Sequence, residues 1–349
     1  LLLLFLPLQP AQAILVGGGS FDELISDGGV IVKFHVTKVE KARFEMIGFS
    51  GKVLSVLKAD GKPVASEQTF QAPAPVWPKD LGLGLGEGQK VILVLRRTPD
   101  GALCIENNMG AILPATKVQS ANGSRGSPSR QVFIELKSVL AITADEIAKA
   151  RILILLSQLA SRDDLHIFVR LSTSPEPWVR RAALVAVARI KPEPAHILPL
   201  VEDFKAHLAN PENEYVFWKL YDDVRWAARC GAFGMKEALA SRARAYLPIY
   251  RTLVDKAPPG YDHVYVGIEG LKNVGTREDL RRLYEFHGHR KAWVRHDVLE
   301  GLGRILGKPV KRLEIISYEM PLPPEVAPWE EKTLSHLEKV LREQGILDK

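Results

Sequence analysis

Residues 175–190 read PEPWVRRAALVAVARI, and residues 291–306 read KAWVRHDVLEGLGRIL. Each stretch has apolar residues at helical spacing behind a Trp-Val-Arg start. The two tryptophans, Trp178 and Trp293, stand 293 − 178 = 115 residues apart. A helix written twice at that distance is the mark of a stack, in which one supersecondary unit buries its faces against copies of itself.

Working outward from these two stretches, more copies emerge. Val179-Arg180-Arg181-Ala182-Ala183-Leu184 aligns with Val224-Arg225-Trp226-Ala227-Ala228-Arg229 and with Val294-Arg295-His296-Asp297-Val298-Leu299. A fainter copy begins at His263, where Glu269-Gly270-Leu271 matches Glu300-Gly301-Leu302. A further helix is expected before each copy, at 163–172, 195–208, 241–255 and 277–287. The unit is therefore a pair of antiparallel helices. Capping boxes are expected at Thr143 with Glu146 and at Thr276 with Asp279.

Upstream the period changes from 3.6 to 2. Residues 30–39 (VIVKFHVTKV) alternate, and GFSGKVLSVLKAD, QKVILVLRR, ALCIEN and RQVFIELKSV extend the pattern. Turns are expected at Asp60-Gly61 and Pro99-Asp100-Gly101. Short strands separated by Gly, Pro and Asp predict a small antiparallel barrel or sandwich. The expected organisation is multidomain, α and β. A β domain occupies 14–142, helical repeats occupy 143–307, and a Pro-rich segment with a C-terminal capping helix fills 308–349.

The first thirteen residues, LLLLFLPLQPAQA, are apolar and uncharged and end in Ala11-Gln12-Ala13. They read as the remnant of a cleaved secretory signal, so the chain is expected in the periplasm or outside the cell. Thirteen residues fall short of the ~20 a membrane-spanning helix needs, and no span is expected after cleavage. Export permits a disulfide. The two cysteines, Cys104 and Cys230, fall in different expected domains and read as separate thiols.

Composition narrows the function. The net charge of +6 comes from 47 basic and 41 acidic residues, interspersed with no long basic run. Nucleic-acid binders concentrate their charge, so that class is not expected. The run LGLGLGEGQK at 81–90 leads into a strand and lacks a following Gly-Lys-Ser/Thr, unlike a phosphate loop. Ser50 lacks the strand–turn–helix setting of a hydrolase nucleophile. No cofactor and no enzymatic activity are expected.

The chain resembles the HEAT-repeat α-solenoid family over roughly 145–306. The resemblance is carried by the Val-Arg pair early in each second helix, by Ala182-Ala183 or Gly301-Gly303, and by Ile190 or Ile305. It implies packing roles for Arg180, Arg225 and Arg295. The copy at 263 lacks the Arg, and NPENEYVFWKLY at 210–221 interrupts the second unit. The β region more weakly resembles the OB-like barrels of exported bacterial proteins.

The expected function is that of a protein–protein interaction scaffold, since a helical stack presents a long surface and aromatic residues anchor partners. Candidate contacts are Tyr215, Phe217, Trp218 and Tyr221 of the interrupting stretch, with Trp178 and Trp293. The alternative is a zinc-binding protein or metal-dependent enzyme using His287, His289 and His296 near Asp297.

Overall fold

The computed structural model describes residues 25, 29–40, 46–73, 86–105, 112–115, 127–211, 213, 217, 220–230, 237–256, 262–310 and 326–348. They form two compact units, Leu1–Asp164 and Leu165–Lys349. The expected signal remnant lies outside the described residues.

The first unit holds one antiparallel sheet. Its strands are β1 (Val30–Glu40), β2 (Met46–Lys58), β3 (Glu67–Pro73), β4 (Lys90–Arg97), β5 (Leu103–Ile105) and β6 (Ile112–Pro114). They run in the order β3-β2-β1-β4-β5, and β6 pairs with the same strand, β4, that β5 does. The alternation in β1 sets the core. Val30, Val32 and Phe34 stand opposite Leu95, Leu93 and Val91. These six join Val36, Phe49 and Phe70 in one buried cluster. The rings of Phe34, Phe49 and Phe70 meet at 5.4–6.0 Å.

The barrel or sandwich expected from the sequence is corrected to a single open sheet. β5 and β6 are three residues each, and no ladder joins β3 to β5 among the described residues. A second correction explains how the far side of the sheet is covered. RQVFIELKSV is not a strand but part of helix α1 (Pro128–Ile142). Ser127 caps it by accepting from the Arg130 amide, and Pro128 fits its first turn. Its buried residues Val132, Phe133, Leu136 and Val139 follow helical spacing.

Helix α1 packs on β2 and places Glu135 against Lys33, which leaves the outer face of β1. The two form a buried ion pair, with side chains 3% and 6% exposed. Helix α2 (Glu146–Leu159) packs on α1. Its cap is Asp145, accepting from the Ala148 amide at 2.6 Å, not Thr143, whose hydroxyl turns back to the Val139 carbonyl. Helix thus begins at 128 rather than 143.

The second unit is helical: α3 (Leu165–Leu171), α4 (Pro177–Ile190), α5 (Pro194–Ala209), α6 (Asp222–Cys230), α7 (Glu237–Ala245), α8 (Leu247–Lys256), α9 (Asp262–Val274), α10 (Leu280–Tyr284), α11 (Ala292–Ile305) and α12 (Val326–Glu343). The expected helix at 241–255 is broken between α7 and α8, just ahead of Pro248, which cannot donate to a preceding turn. α3 packs on α4, α4 on α5, α8 on α9, and α10 on α11. Among the aligned copies, α6 lies against α9 and α9 against α11. Leu337 and Leu341 of α12 are buried, and α12 packs on α11.

The 115-residue offset is written into the contacts as well as the letters. Asp164 accepts from the Ser161 amide and hydroxyl at 3.0 and 2.8 Å and from Arg130 at 2.8 Å. Asp279 accepts from the Thr276 amide and hydroxyl at 2.9 and 3.2 Å and from Arg251 at 2.7 Å. Further on, Arg180 donates to the Ser174 carbonyl at 2.8 Å, and Arg295 to the His289 carbonyl at 2.8 Å. The differences 279 − 164, 276 − 161, 295 − 180 and 289 − 174 all equal 115. Burial opposes ionisation of both aspartates, but the donors around them outweigh it and hold each carboxyl below its ordinary value.

Helix α9 approaches α8 through glycine. A Cβ on Gly270 would stand 2.3 Å from the Tyr250 ring, and one on Gly267 2.9 Å from the Tyr250 carbonyl. Gly270→Ala is expected to cost about 1–3 kcal/mol through overpacking, whereas Gly288→Ala, with nothing within 4 Å, is expected to be nearly neutral. Urea denaturation of the two variants checks this. In the first unit, Glu135→Leu strands a buried ammonium and is expected to cost about 3–5 kcal/mol. The double change Lys33→Met/Glu135→Leu is expected to recover most of that loss in the same measurement.

Candidate functional site

The second helices supply the side chains on which any binding surface must be built. α4 and α9 are poor in exposed positions: in α4, Val179, Arg181, Ala182, Ala183 and Val185–Ala188 are all buried. Small residues let neighbours close over them. A group of half-buried and exposed side chains lies where α9 meets α11.

At that place Trp293 stands half-buried with its ring 4.7 Å from Tyr265. Lys291 holds its ammonium 4.6 Å from the centre of the Tyr265 ring and 5.7 Å from that of Trp293. Ring quadrupoles attract a cation in this position. His289 meets Tyr265 edge-on at 5.7 Å, and Arg290 beside it is exposed. The Tyr265 hydroxyl is buried and makes no hydrogen bond among the described residues, an uncommon state for a buried donor. Trp178, the other copy, is half-buried under Arg181, whose guanidinium lies 4.9 Å from its ring centre.

The aromatic stretch behaves differently from the surface loop expected of it. Phe217 and Tyr221 are fully buried and are corrected from partner contacts to core residues. Phe204, Phe217 and Tyr221 pack ring to ring at 4.3–5.3 Å. The Tyr221 hydroxyl donates to Asp203, which also accepts from Arg181 at 3.1 Å. Six aromatic or aliphatic residues among the twelve positions 210–221 signal burial as much as exposure. Tyr215 and Trp218 lie outside the described residues.

Two histidines sit in this interior, His207, which the sequence reading does not single out, and His263. His207 stacks on Phe217 with centroids 3.5 Å apart, and His263 lies 6.0 Å away. Both are buried. Burial first, then the charge of Arg181 and the neighbouring His263, lower the His207 pKa from 6.5 to about 4.

The expected repeat-packing arginines are placed in part. Arg180 and Arg295 bridge back to the turn before their own helices, and Arg295 also meets Glu330 of α12 at 2.9 Å. Arg225 is half-buried on α6. The histidines expected as zinc ligands are not brought together. His287 Nδ1 lies 2.7 Å from the Tyr284 carbonyl, and its ring stacks on Tyr284. His289 Nδ1 accepts from the Lys291 amide at 3.1 Å. His296 points the other way, buried and stacked 5.3 Å from Trp329 of α12. Among the described residues, its nearest possible co-ligands are Asp297 and Glu300. Cys104, half-buried on β5, is a free thiol. No described helix is long and apolar enough to cross a membrane.

The buried imidazole makes stability depend on pH. An unfolded chain takes up the proton near 6.5, whereas folded His207 resists it until about 4. The unfolded state therefore binds more protons between those values, and stability falls as pH drops from 6.5 toward 4. Relative to His207→Gln, the native chain is expected to lose on the order of 3 kcal/mol across that window. Denaturant titrations at a series of pH values measure the difference.

No protein-family model matches the chain, and no curated protein and no solved structure matches it.

Proposed function

We propose that this chain is a non-enzymatic scaffold of the cell envelope, which holds a protein partner on stacked helix pairs of HEAT type. The observation that carries the reading is the recurrence of one local arrangement at a 115-residue spacing, down to the acidic cap and the arginine that bonds back to the preceding turn. A chain that reiterates a structural unit extends a surface. The contacts of α6 with α9 and of α9 with α11 support stacking of the aligned copies. The apolar Leu-rich opening with Ala11-Gln12-Ala13 supports export.

The binding face in this reading includes the corner of Trp293, Lys291 and Arg290. An aromatic ring beside two cations suits an acidic segment with an apolar anchor, because the rings supply area and the cations supply steering. Trp178 is a secondary contact. The β unit acts as an appended module.

The test is affinity capture from envelope extract with the full chain, run beside the surface variant Arg290→Glu/Lys291→Glu/Trp293→Ala. One defined protein is expected on the native bait, reduced at least about tenfold on the variant, given hot-spot losses of ~2 kcal/mol or more. Circular dichroism should be unchanged between the two. Equal retention by both baits, or none by either, counts against this surface.

A further inference from the structure

Arg229 of α6, Glu269 and Lys272 of α9, and His296, Asp297 and Glu300 of α11 form one charged cluster. Arg229 meets Glu269 at 3.3 Å. Lys272 meets Asp297 at 2.8 Å and Glu300 at 3.6 Å. Counted as ionised groups, these are three carboxylates against two side-chain cations, with an imidazole beside them. The excess of negative charge shows in the geometry. Among the described residues, Glu300 Oε2 is buried and accepts no hydrogen bond, and Lys272 approaches it at 3.6 Å. Burial, more than charge, raises the Glu269 carboxyl pKa, against Arg229 and Lys272 and with a smaller contribution from Asp297.

The donors are also of the right kind and spacing. His296 and Glu300 are four apart on one helix, and Asp297 and Glu300 are three apart, so all three can turn toward a common point. One ligand atom from each lies within 4.8 Å of the others. Donors around a single ion with bonds of ~2.1 Å stand up to about 4 Å apart, so the three need draw together by only about 1 Å. His296 is buried at 5% exposure and is backed by Trp329, which restricts its ring. The position between Asp297 and Glu300 is already that of a cation, the chain's own ammonium.

We propose that His296, Asp297 and Glu300 form a binding site for a divalent ion of the zinc type, for which Lys272 is the built-in competitor. One imidazole and two carboxylates are a donor set that such ions accept. The ion replaces a single charge with a double one and uses the imidazole lone pair, to which it bonds directly. Lys272 then turns to Glu269, within whose electrostatic reach it already lies, and the carboxylate excess is neutralised. The site is independent of the scaffold reading, and either can fail without the other.

The experiment uses the full chain, stripped with chelator and free of any affinity tag. Zinc is titrated calorimetrically, and cobalt(II) is followed by its visible absorption. One equivalent is expected to bind. His296→Ala and Glu300→Gln are each expected to weaken binding by more than roughly a hundredfold, beyond the ~10–100-fold typical of outer partners. Lys272→Met is expected to tighten it about tenfold, because the competitor is gone. His287→Ala/His289→Ala is expected to leave it unchanged. Thermal melts of each variant without metal separate loss of the site from loss of the fold. The proposal is overturned if the native chain binds neither ion, if binding survives His296→Ala/Glu300→Gln, if it is lost with the outer histidines, or if only Lys272→Met binds.

Discussion

The second unit turns on one carboxylate. Asp223, at the start of α6, accepts from Arg189 at the end of α4, from Arg242 of α7 at 2.7 Å and from the Tyr246 hydroxyl at 2.8 Å. Burial alone would push this carboxyl up. The two guanidiniums reverse that and hold it below its ordinary value, while burial and the adjacent anion keep the Tyr246 phenol protonated far above its own. An ion pair sealed in this way adds little net stability over apolar packing, but losing one member is costly because the others stay charged and buried. Its effect is therefore on specificity: only one relative placement of α4, α6 and α7 satisfies all four groups. Asp203, with Arg181 and Tyr221, repeats the device one pair earlier.

The later pairs are joined by a different kind of bond. Tyr250 of α8 donates to the Val224 carbonyl, Asn273 of α9 to the Ala228 carbonyl, and Arg304 of α11 to the Gly275 carbonyl that follows α9. Each is a side chain bonding a backbone acceptor of an earlier element, and Ala228 and Gly275 lie at or beyond helix C-termini, where carbonyls lack an intrahelical donor. The helices are held in register by polar groups with definite geometry, while burial of Leu253, Leu271, Val298 and Leu302 supplies the bulk of the attraction.

Much of this was legible from residue order. The strands β1 and β4 and the Trp-Val-Arg helices stand where the sequence places them, although β1, β4 and α4 each bury residues on both faces. The failures fall where the letters leave the period or the exposure open. In 130–139, Val132, Phe133 and Leu136 can be read at either period; only the Ser127-Pro128 start settles the matter, and it was masked by a Gly/Ser-rich stretch. The interface reading of Phe217 and Tyr221 holds only if the aromatic-rich stretch that interrupts the repeat is exposed, and both rings are buried. The pairing of His296 with Glu300 rather than with His289 was readable from the four-residue spacing, yet the nearer histidines drew attention. The stacking of aligned copies places α9 beside α11, but nothing in the sequence singles out Lys272 as the side chain that reaches Asp297 and Glu300.

The arginine that bonds back across six residues has a meaning for how such a chain can change over time. Arg180 and Arg295 each measure the turn before their own helix against a fixed carbonyl. A residue inserted or deleted within that turn breaks the measurement, leaving a guanidinium and a carbonyl unmatched. Length can vary between helix pairs, where no such ruler exists, far more freely than within one. The interval between the two tryptophans could therefore grow by whole insertions while the pieces on either side stayed recognisable to one another, which is the pattern the 115-residue echo preserves.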